Sequence, residues 1–177
     1  MKVLVLGGDG QMGLCLKDVL MRSEHEVIFF SRRDIDVLNL DQAALKISSV
    51  HPSIVLNAAG YPAVDKAERE QALAMKLNSD SVANLAKVCL TIDACLVQLS
   101  TNYVFDGKAE DPYNETQKAR PINMYGQSKL EGEQAIQASG CRHVIIRTSW
   151  IFSEYGTNFL KTVLKKMIQH YKNLNRF

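Results

Sequence analysis

The amino-acid sequence predicts an α/β fold with a doubly wound parallel sheet and helices on both faces. Two observations lead to this prediction. Short apolar, β-branched runs alternate with longer amphipathic stretches, and the first run ends in the glycine-rich segment 7–13. Strands that alternate with helices form a parallel sheet, and right-handed crossovers make it doubly wound.

Each predicted element has its own local signal. The first apolar run is ended by glycines, and the next stretch has Met12, Leu16 and Leu20 on one helical face. Later helices repeat this spacing, as in the last one, where Val163 and Met167 are apolar. The predicted strands are residues 2–6, 26–30, 53–57, 95–99 and 143–147, and the predicted helices are 11–22, 41–50, 68–88, 128–139 and 158–169. The loops after the first, third, fourth and fifth strands are expected to carry function, because ligands bind there in such sheets.

Composition and charge narrow the class of protein. Of the 177 residues, 46% are hydrophobic and 23% are charged, which predicts a folded globular protein and excludes wholesale disorder. The net charge of +2 argues against nucleic acid as a partner. No apolar run approaches the ~20 residues of a membrane span. A glycine loop, not a cleavage site, follows the first apolar run, so we predict no signal peptide.

The cysteines and histidines predict no metal site. The four cysteines (Cys15, Cys89, Cys95 and Cys141) form no CxxC pair and no metal spacing, and the four histidines form no ligand pattern. Unpaired, mostly buried cysteines are typical of reduced thiols. We therefore expect a cytoplasmic location.

The segment 7–13 reads G-x-x-G-x-x-G between a predicted strand and a predicted helix. Glycines let the backbone turn tightly and let a pyrophosphate approach it, and the helix N-terminus adds free N–H groups and a positive dipole. The segment therefore predicts a dinucleotide-binding loop, with cofactor contacts at Gly7, Gly10, Gln11, Met12 and Gly13. A purely structural turn is the alternative.

The end of the second predicted strand indicates which dinucleotide binds. An acid there holds the ribose of NAD, whereas an arginine accommodates the 2′-phosphate of NADP. Ser31 and Arg32 occupy this place, which favours NADPH, and the nearby Asp34 keeps NADH open. A solvated loop is the alternative for the arginine.

Tyr125 and Lys129 form a Y-x-x-x-K pattern. If a helix includes both, they share one face. A neighbouring ammonium lowers the pKa of a tyrosine, so Tyr125 is a candidate proton donor to a carbonyl oxygen. Ser100 and Thr101 lie at the end of the fourth predicted strand, and either hydroxyl is a candidate hydrogen-bond donor to that carbonyl. A packed tyrosine above a surface lysine is the alternative.

With these motifs, the sequence resembles the dTDP-4-dehydrorhamnose reductases, a family of extended short-chain dehydrogenases/reductases. The resemblance covers nearly all of the chain as far as Leu160. It is carried by segments 7–13, 34–39, 57–68, 99–107, 121–133 and 147–159. Together these segments are far more specific than the glycine loop alone.

The resemblance implies roles for particular residues. Thr101, Tyr125 and Lys129 match the catalytic triad. Asn102, Tyr103 and Trp150 match positions near the sugar nucleotide, with Asn102 standing where the family commonly has Asp. The cofactor contacts that motif and resemblance together predict are Gly7, Gly10, Gln11, Met12, Gly13, Ser31, Arg32, Asp36, Val37, Ala58, Ala59, Tyr125 and Lys129.

The reaction implied by the resemblance is the NADPH-dependent reduction of the 4-keto group of a nucleotide-linked 6-deoxy sugar, a step of dTDP-L-rhamnose synthesis. Two alternatives stay open because family likeness does not prove catalysis. One is a non-catalytic NADP-binding module similar to the regulatory subunit of methionine adenosyltransferase, and the other is an inactive truncated remnant. The resemblance also implies a homodimer and, in some members, an interfacial Mg²⁺ whose ligands the sequence does not place.

The chain is expected to divide into two parts. Residues 1–150 are predicted to form a Rossmann-like NAD(P)-binding domain that carries the catalytic threonine, tyrosine and lysine. Residues 151–177 are predicted to begin a substrate lobe or to form a basic C-terminal helix. Because family members are about twice the length of the core sheet, most of the C-terminal substrate lobe is expected to be missing.

Overall fold

The computed structural model describes residues 1–174 and contains a five-stranded sheet in which every neighbouring pair is parallel. The strand order across the sheet is β2-β1-β3-β4-β5. The strands are β1 (Lys2–Leu6), β2 (Glu26–Phe30), β3 (Ile54–Asn57), β4 (Cys95–Thr101) and β5 (His143–Thr148). All five predicted strands are confirmed, and only the ends of β3, β4 and β5 are shifted.

Seven α-helices are described within residues 1–174, and they include every predicted helical segment. They are α1 (Gln11–Leu20), α2 (Leu40–Val50), α3 (Val64–Ala67), α4 (Gln71–Met75), α5 (Ser81–Thr91), α6 (Met124–Ser139) and α7 (Phe159–Leu174). The predicted helix 68–88 is in fact α4 and α5, joined by the π-helical turn Lys76–Asp80. A 3-10 turn, Asn102–Val104, follows β4.

The sheet is doubly wound because the chain reverses direction across it. From β1 the chain steps to β2 at one edge, and from β2 onwards it steps the other way, through β3 and β4 to β5. Right-handed crossovers therefore place α1 on one face and α2, α5 and α6 on the other. The reversal between β1 and β3 opens the ligand crevice at the carboxyl ends of these strands.

The main core lies between the sheet and the face that carries α2, α5 and α6. Its strand residues include Leu4, Leu6, Val55 and Leu96, and its helix residues include Ile47, Val82, Leu85 and Ile136, all at most 1% exposed. β1 is buried on both faces, which explains its unbroken apolar run. This core holds rigid the strand ends that form the crevice.

Helix α6 begins earlier than predicted, at Met124 rather than at residue 128. The side chain of Asn123 caps the helix by accepting a hydrogen bond from the Gly126 backbone N–H at 2.7 Å. The extra turn places Tyr125 inside the helix. The condition for Tyr125 and Lys129 to share one helical face is therefore met.

Helix α7 carries a row of exposed apolar residues. Leu160, Leu164, Met167, Ile168 and Tyr171 are all at least 44% exposed. Part of the predicted unit 151–177 lies outside the described residues. Within residues 1–174, none of the helices combines the length and the apolar character that a membrane span requires.

Candidate active site

Two glycines at the junction of β1 and α1, Gly7 and Gly13, lie too close to neighbouring backbone atoms for a side chain to fit. Gly7 has φ +79°, and a Cβ there would lie 2.8 Å from backbone atoms of Ala58 and Ala59. A Cβ at Gly13 would lie 2.2 Å from the carbonyl oxygen of Gly7. Gly10 precedes α1 and provides no side-chain cap for the first N–H groups of the helix. The loop therefore opens a helix N-terminus towards the crevice, as in phosphate-binding loops.

Gln11, the first residue of α1, has a side-chain Nε2 that is buried and lacks a hydrogen-bond partner, the single such case among the described side chains of residues 1–171. An unsatisfied buried donor costs about 1–3 kcal/mol. The loop after β5 helps to cover it, because a Cβ at Gly156 would lie 3.7 Å from that of Gln11. A phosphate oxygen would satisfy this donor. The residues of this loop therefore fit the pyrophosphate of a dinucleotide.

A cavity of about 410 Å³ extends from the glycine loop across the ends of β1, β2 and β3. Its volume is in the range of small-molecule sites. The predicted cofactor residues that line it are Gly7, Gly10, Ser31, Arg32, Asp36, Val37 and Ala59. Ala58 lies under Gly7. The remaining predicted cofactor residues do not line this cavity; they are Gln11, Met12, Gly13, Tyr125 and Lys129.

Asp34, the acid for which the sequence kept NADH open as the cofactor, lies in the loop that follows β2. The Asp34 carboxylate accepts hydrogen bonds from the Ser31 backbone N–H at 2.8 Å and from the Ser31 hydroxyl at 2.7 Å. These bonds lower the pKa of Asp34. Asp34 is thus bonded to its own loop, while Arg32 lines the cavity.

The three candidate catalytic residues meet at the carboxyl end of β4. Thr101 is the last residue of β4, and Tyr125 and Lys129 lie one turn apart on α6. The Lys129 Nζ donates to the carbonyl oxygen of Leu99 at 2.6 Å, and the side chain is buried. The structure thus brings Thr101, Tyr125 and Lys129 together.

Burial decides the ionisation of both α6 residues. Burial raises the pKa of Tyr125, although its contact with the Thr101 side chain opposes this shift. Burial also lowers the pKa of Lys129 from 10.5 to about 8, and the Glu133 carboxylate opposes that shift. The net shift of the Tyr125 pKa is upwards, because desolvation and the neighbouring Tyr103 outweigh the opposing contact with Thr101.

Asn78, in the π-helical turn, ties the loop after β3 to α6. Its Oδ1 accepts from the Tyr61 backbone N–H at 2.9 Å. Its Nδ2 donates to the Tyr61 carbonyl at 3.1 Å and to the Ser128 hydroxyl at 3.0 Å. Gly132 permits this approach, because a Cβ there would lie 2.2 Å from the Asn78 carbonyl oxygen. Asn78 therefore positions the helix that carries Tyr125.

The predicted substrate residues are only partly brought together. The ring of Tyr103 lies edge-on to that of Tyr125, with centroids 5.7 Å apart. Asn102 lies beside Thr101, whose hydroxyl donates to the Asn102 Oδ1 at 3.4 Å. Trp150 is 70% exposed with φ +54°, and its ring packs against Phe159. The site around Tyr125 thus includes Asn102 and Tyr103, while the described aromatic contact of Trp150 lies elsewhere.

Sequence reasoning missed several buried polar residues that shape the site. Besides Asn78, they include Asn57 at the end of β3, whose Nδ2 donates to the Gln98 Oε1 at 2.8 Å, and the buried Glu133, which pairs with the half-buried Arg147. The signal for Asn57 and Gln98 was a polar side chain inside an apolar strand, which requires a buried partner. In the part of the chain that the structure describes, no group of three or more His, Cys, Asp or Glu residues is arranged to hold a metal ion.

The strand order and the glycine loop at the reversal define the class of this protein. It is an α/β protein with a Rossmann-like fold. More narrowly, the chain belongs to the RmlD substrate binding domain family, whose model matches residues 1–175.

Two relatives of the chain are named dTDP-4-dehydrorhamnose reductase. It is 40% identical over 165 residues to dTDP-4-dehydrorhamnose reductase of Sinorhizobium fredii, covering 93% of this chain and 55% of that protein. It is 38% identical over 168 residues to the enzyme of that name in Escherichia coli, covering 93% and 56%. The chain thus spans about half the length of the curated relatives it matches.

Two solved structures share the fold. A dTDP-4-dehydrorhamnose reductase from Clostridium acetobutylicum superposes with a TM-score of 0.90 at 37% identity, covering 94% of this chain and 59% of that one. The reductase of that name from Bacillus anthracis, in complex with NADP, gives 0.89 at 35% identity, covering 93% and 58%. These matches confirm the predicted family resemblance and fold class.

Proposed function

We propose that this chain provides the NADPH-binding and catalytic part of a reductase for the 4-keto group of a dTDP-linked 6-deoxy sugar. One observation carries the proposal. Thr101 ends β4 opposite Tyr125 and Lys129 on α6, at the edge of the sheet that also holds the phosphate-binding glycine loop. The reductase names of the relatives support this substrate class.

The glycine loop and α1 would hold the cofactor pyrophosphate, with the Gln11 Nε2 as an additional donor. Asp36 and Val37, which line the cavity together with Ala59, would hold the adenine. NADPH, when bound, would supply the hydride for the substrate carbon. Lys129 would bind the nicotinamide ribose from α6.

The end of β2 supports NADPH rather than NADH. An acid that selects NAD must be free to accept from the ribose hydroxyls. The Asp34 carboxylate instead accepts two hydrogen bonds from Ser31, and Arg32 lines the cavity. A guanidinium at this position attracts the 2′-phosphate.

The ionisation of the site suits proton donation to a developing alkoxide. The raised pKa of Tyr125 keeps its hydroxyl protonated at neutral pH. Tyr125 donates this proton to the substrate oxygen, and the Lys129 ammonium stabilises the phenolate that results. Thr101 donates a hydrogen bond that orients the carbonyl.

Asn102, Tyr103 and Trp150 are proposed contacts to the sugar nucleotide. Tyr103 lies against Tyr125 and is 42% exposed, so its ring is available to a ligand. The exposed Trp150 offers a stacking surface. A division at residue 150, a homodimer, an interfacial Mg²⁺ and a cytoplasmic location stay predictions.

The regulatory-module alternative is not favoured. Such a module has no need of Thr101, Tyr125 and Lys129 in a common site, and the relatives reported above are named as reductases. The reductase proposal is therefore the one to test.

The test begins with calorimetric titration of the chain with NADPH and with NADH. We expect saturable binding that prefers NADPH, and no binding of either would contradict the cofactor site. NADPH oxidation with the dTDP-linked keto sugar is then measured for wild type and Tyr125→Phe. The variant should lose about 10²–10⁴-fold in kcat, because it lacks the proton donor.

Tyr113→Phe is the matched control, because its hydroxyl donates to Asp106 at 2.9 Å, outside the catalytic trio. We expect this variant to keep the wild-type kcat. Equal turnover by wild type and Tyr125→Phe would refute the assigned proton donor. Cofactor binding without turnover of the keto sugar would refute the reductase.

A further inference from the structure

Glu133 is a buried carboxylate that the proposed reaction does not use. Its side chain is 2% exposed. Arg147 of β5 donates to both carboxylate oxygens, with Nε–Oε1 and Nη2–Oε2 distances of 3.1 and 2.6 Å. The Ser100 hydroxyl of β4 donates to Oε1. One side chain of α6 is therefore bonded to two neighbouring strands.

The cluster of Glu133, Arg147 and Ser100 lies next to the candidate catalytic residues along both α6 and β4. Glu133 lies one turn beyond Lys129 on α6. Lys129 bonds the carbonyl of Leu99, and Glu133 bonds the side chain of Ser100, the next residue of β4. Thr101 follows directly. Helix α6 is thus joined to β4 at two successive residues immediately before the candidate catalytic threonine.

We propose that Glu133, fixed by Arg147, is a positioning residue that joins α6 to β4 beside Thr101 and Lys129. This inference rests on the proposed function for its effect on turnover. The hydrogen bonds of Glu133 go to Ser100 and Arg147 rather than to the reacting atoms. Its effect on the reaction is therefore indirect, through the placement of β4 and α6.

The surroundings of the ion pair hold Glu133 in one geometry. The Arg147 guanidinium lies over the Phe105 ring, 5.0 Å from its centroid, and this ring stacks on Tyr113 with centroids 4.2 Å apart. A paired, planar guanidinium fixes both carboxylate oxygens. Replacing the carboxylate leaves a partly buried Arg147 without its anion, which is costly.

The charge of Glu133 bears directly on Lys129. Burial favours the neutral amine of Lys129, and Glu133 is the anion that counteracts it. The other titratable groups facing this region are Tyr125 on α6, Tyr103 in the 3-10 turn, Arg147 on β5 and Glu115, whose charge acts on Arg147. Glu133 is the one acid among these groups whose charge acts on Lys129, so its removal leaves the desolvation of Lys129 unopposed.

The first experiment reads Lys129 without needing turnover. In protein labelled with carbon-13 at lysine Cε, NMR titration follows each lysine against pH. Lys129→Arg identifies the Lys129 signal. We expect Glu133→Gln to lower the pKa of Lys129 by about one unit. The control is Glu131→Gln, the same change on the same helix, at a residue that accepts a hydrogen bond from Gln127. This variant should leave the pKa of Lys129 unchanged.

The second experiment follows kcat for the keto sugar. Glu133→Gln should reduce kcat about tenfold through misplacement of the site and shift the alkaline limb of its pH profile to lower pH. Glu133→Asp keeps the charge and should restore the limb. A purely structural role of Glu133 would lower kcat without shifting the alkaline limb of the pH profile. The inference would therefore be overturned if Glu133→Gln changed neither the alkaline limb nor the pKa of Lys129.

The two proposals fail in distinguishable ways. Absence of wild-type turnover refutes the reductase, whereas the NMR titration still decides whether Glu133 supports the charge of Lys129. If Glu133→Gln does not fold, Ser100→Ala takes its place, because it removes one bond to Glu133 and keeps both charges. We expect kcat to fall at least about threefold. Unchanged kcat in Ser100→Ala would then overturn the positioning role.

Discussion

Replacing Gly126 by alanine is expected to displace the turn of α6 that carries Tyr125. A Cβ at Gly126 would lie 2.1 Å from the carbonyl oxygen of Tyr103 and 2.9 Å from its carbonyl carbon. Relief of this overlap requires a shift of about 1 Å, and a misplacement of that size costs on the order of 100-fold in rate. Overpacking at this position lowers the free energy of unfolding by about 1–3 kcal/mol. The higher helix propensity of alanine offsets about 1 kcal/mol of that loss.

Gly140→Ala is the matched control at the other end of α6. Gly140 has φ +77°, and a Cβ there would meet nothing within 4 Å, so alanine at this position is strained but overlaps no backbone. It should also lose about 1 kcal/mol of stability. We therefore expect similar denaturation midpoints for the two variants, but a hundredfold lower kcat only for Gly126→Ala. A kcat for Gly126→Ala within about threefold of wild type would refute the reasoning.

Two further predictions concern the cofactor and the buried lysine. Arg32→Ala should weaken NADPH binding about tenfold or more while leaving NADH binding nearly unchanged. Arg33→Ala is the control, because Arg33 lies outside the cavity lining. Equal weakening of NADPH and NADH binding by Arg32→Ala would refute the assignment of Arg32 to the 2′-phosphate. Lys129 releases its proton near pH 8 when folded and near 10.5 when unfolded. The unfolded state therefore binds more protons between these values, and the free energy of unfolding should rise by about 2 kcal/mol between pH 8 and about pH 9.5. Chemical denaturation of Lys129→Met should lack this rise, and an identical rise in the variant would exclude Lys129 as its source.

Local patterns predicted the strands and the phosphate loop because their signals lie within a few neighbouring residues. β1 shows its burial as an unbroken apolar run, and the glycines of segment 7–13 reflect contacts that exclude a Cβ. The earlier start of α6 was less evident, since it depends on the cap that Asn123 provides. The pattern of Tyr125 and Lys129 was visible, but its geometry depended on that cap.

Other features depend on residues that are distant in the sequence. The contacts of Asn78 with Tyr61 and Ser128 join segments 17 and 50 residues apart. The ionisation of Tyr125 likewise follows from burial rather than from the lysine four residues later. A local pattern contains no information about desolvation, because burial depends on how all the elements pack.

The sequence by itself determined the alternation of strands and helices, the dinucleotide loop and the candidate trio of Thr101, Tyr125 and Lys129. The alternation, the loop and the Tyr125–Lys129 pair follow from periodicity, glycine stereochemistry and spacing, which are local properties, whereas the family resemblance added Thr101. Only the tertiary structure decided that Asn78 is bonded to Tyr61 and Ser128 and that Glu133 joins α6 to two strands. The physical reason is that hydrogen-bond partners and desolvation arise only when distant segments pack together.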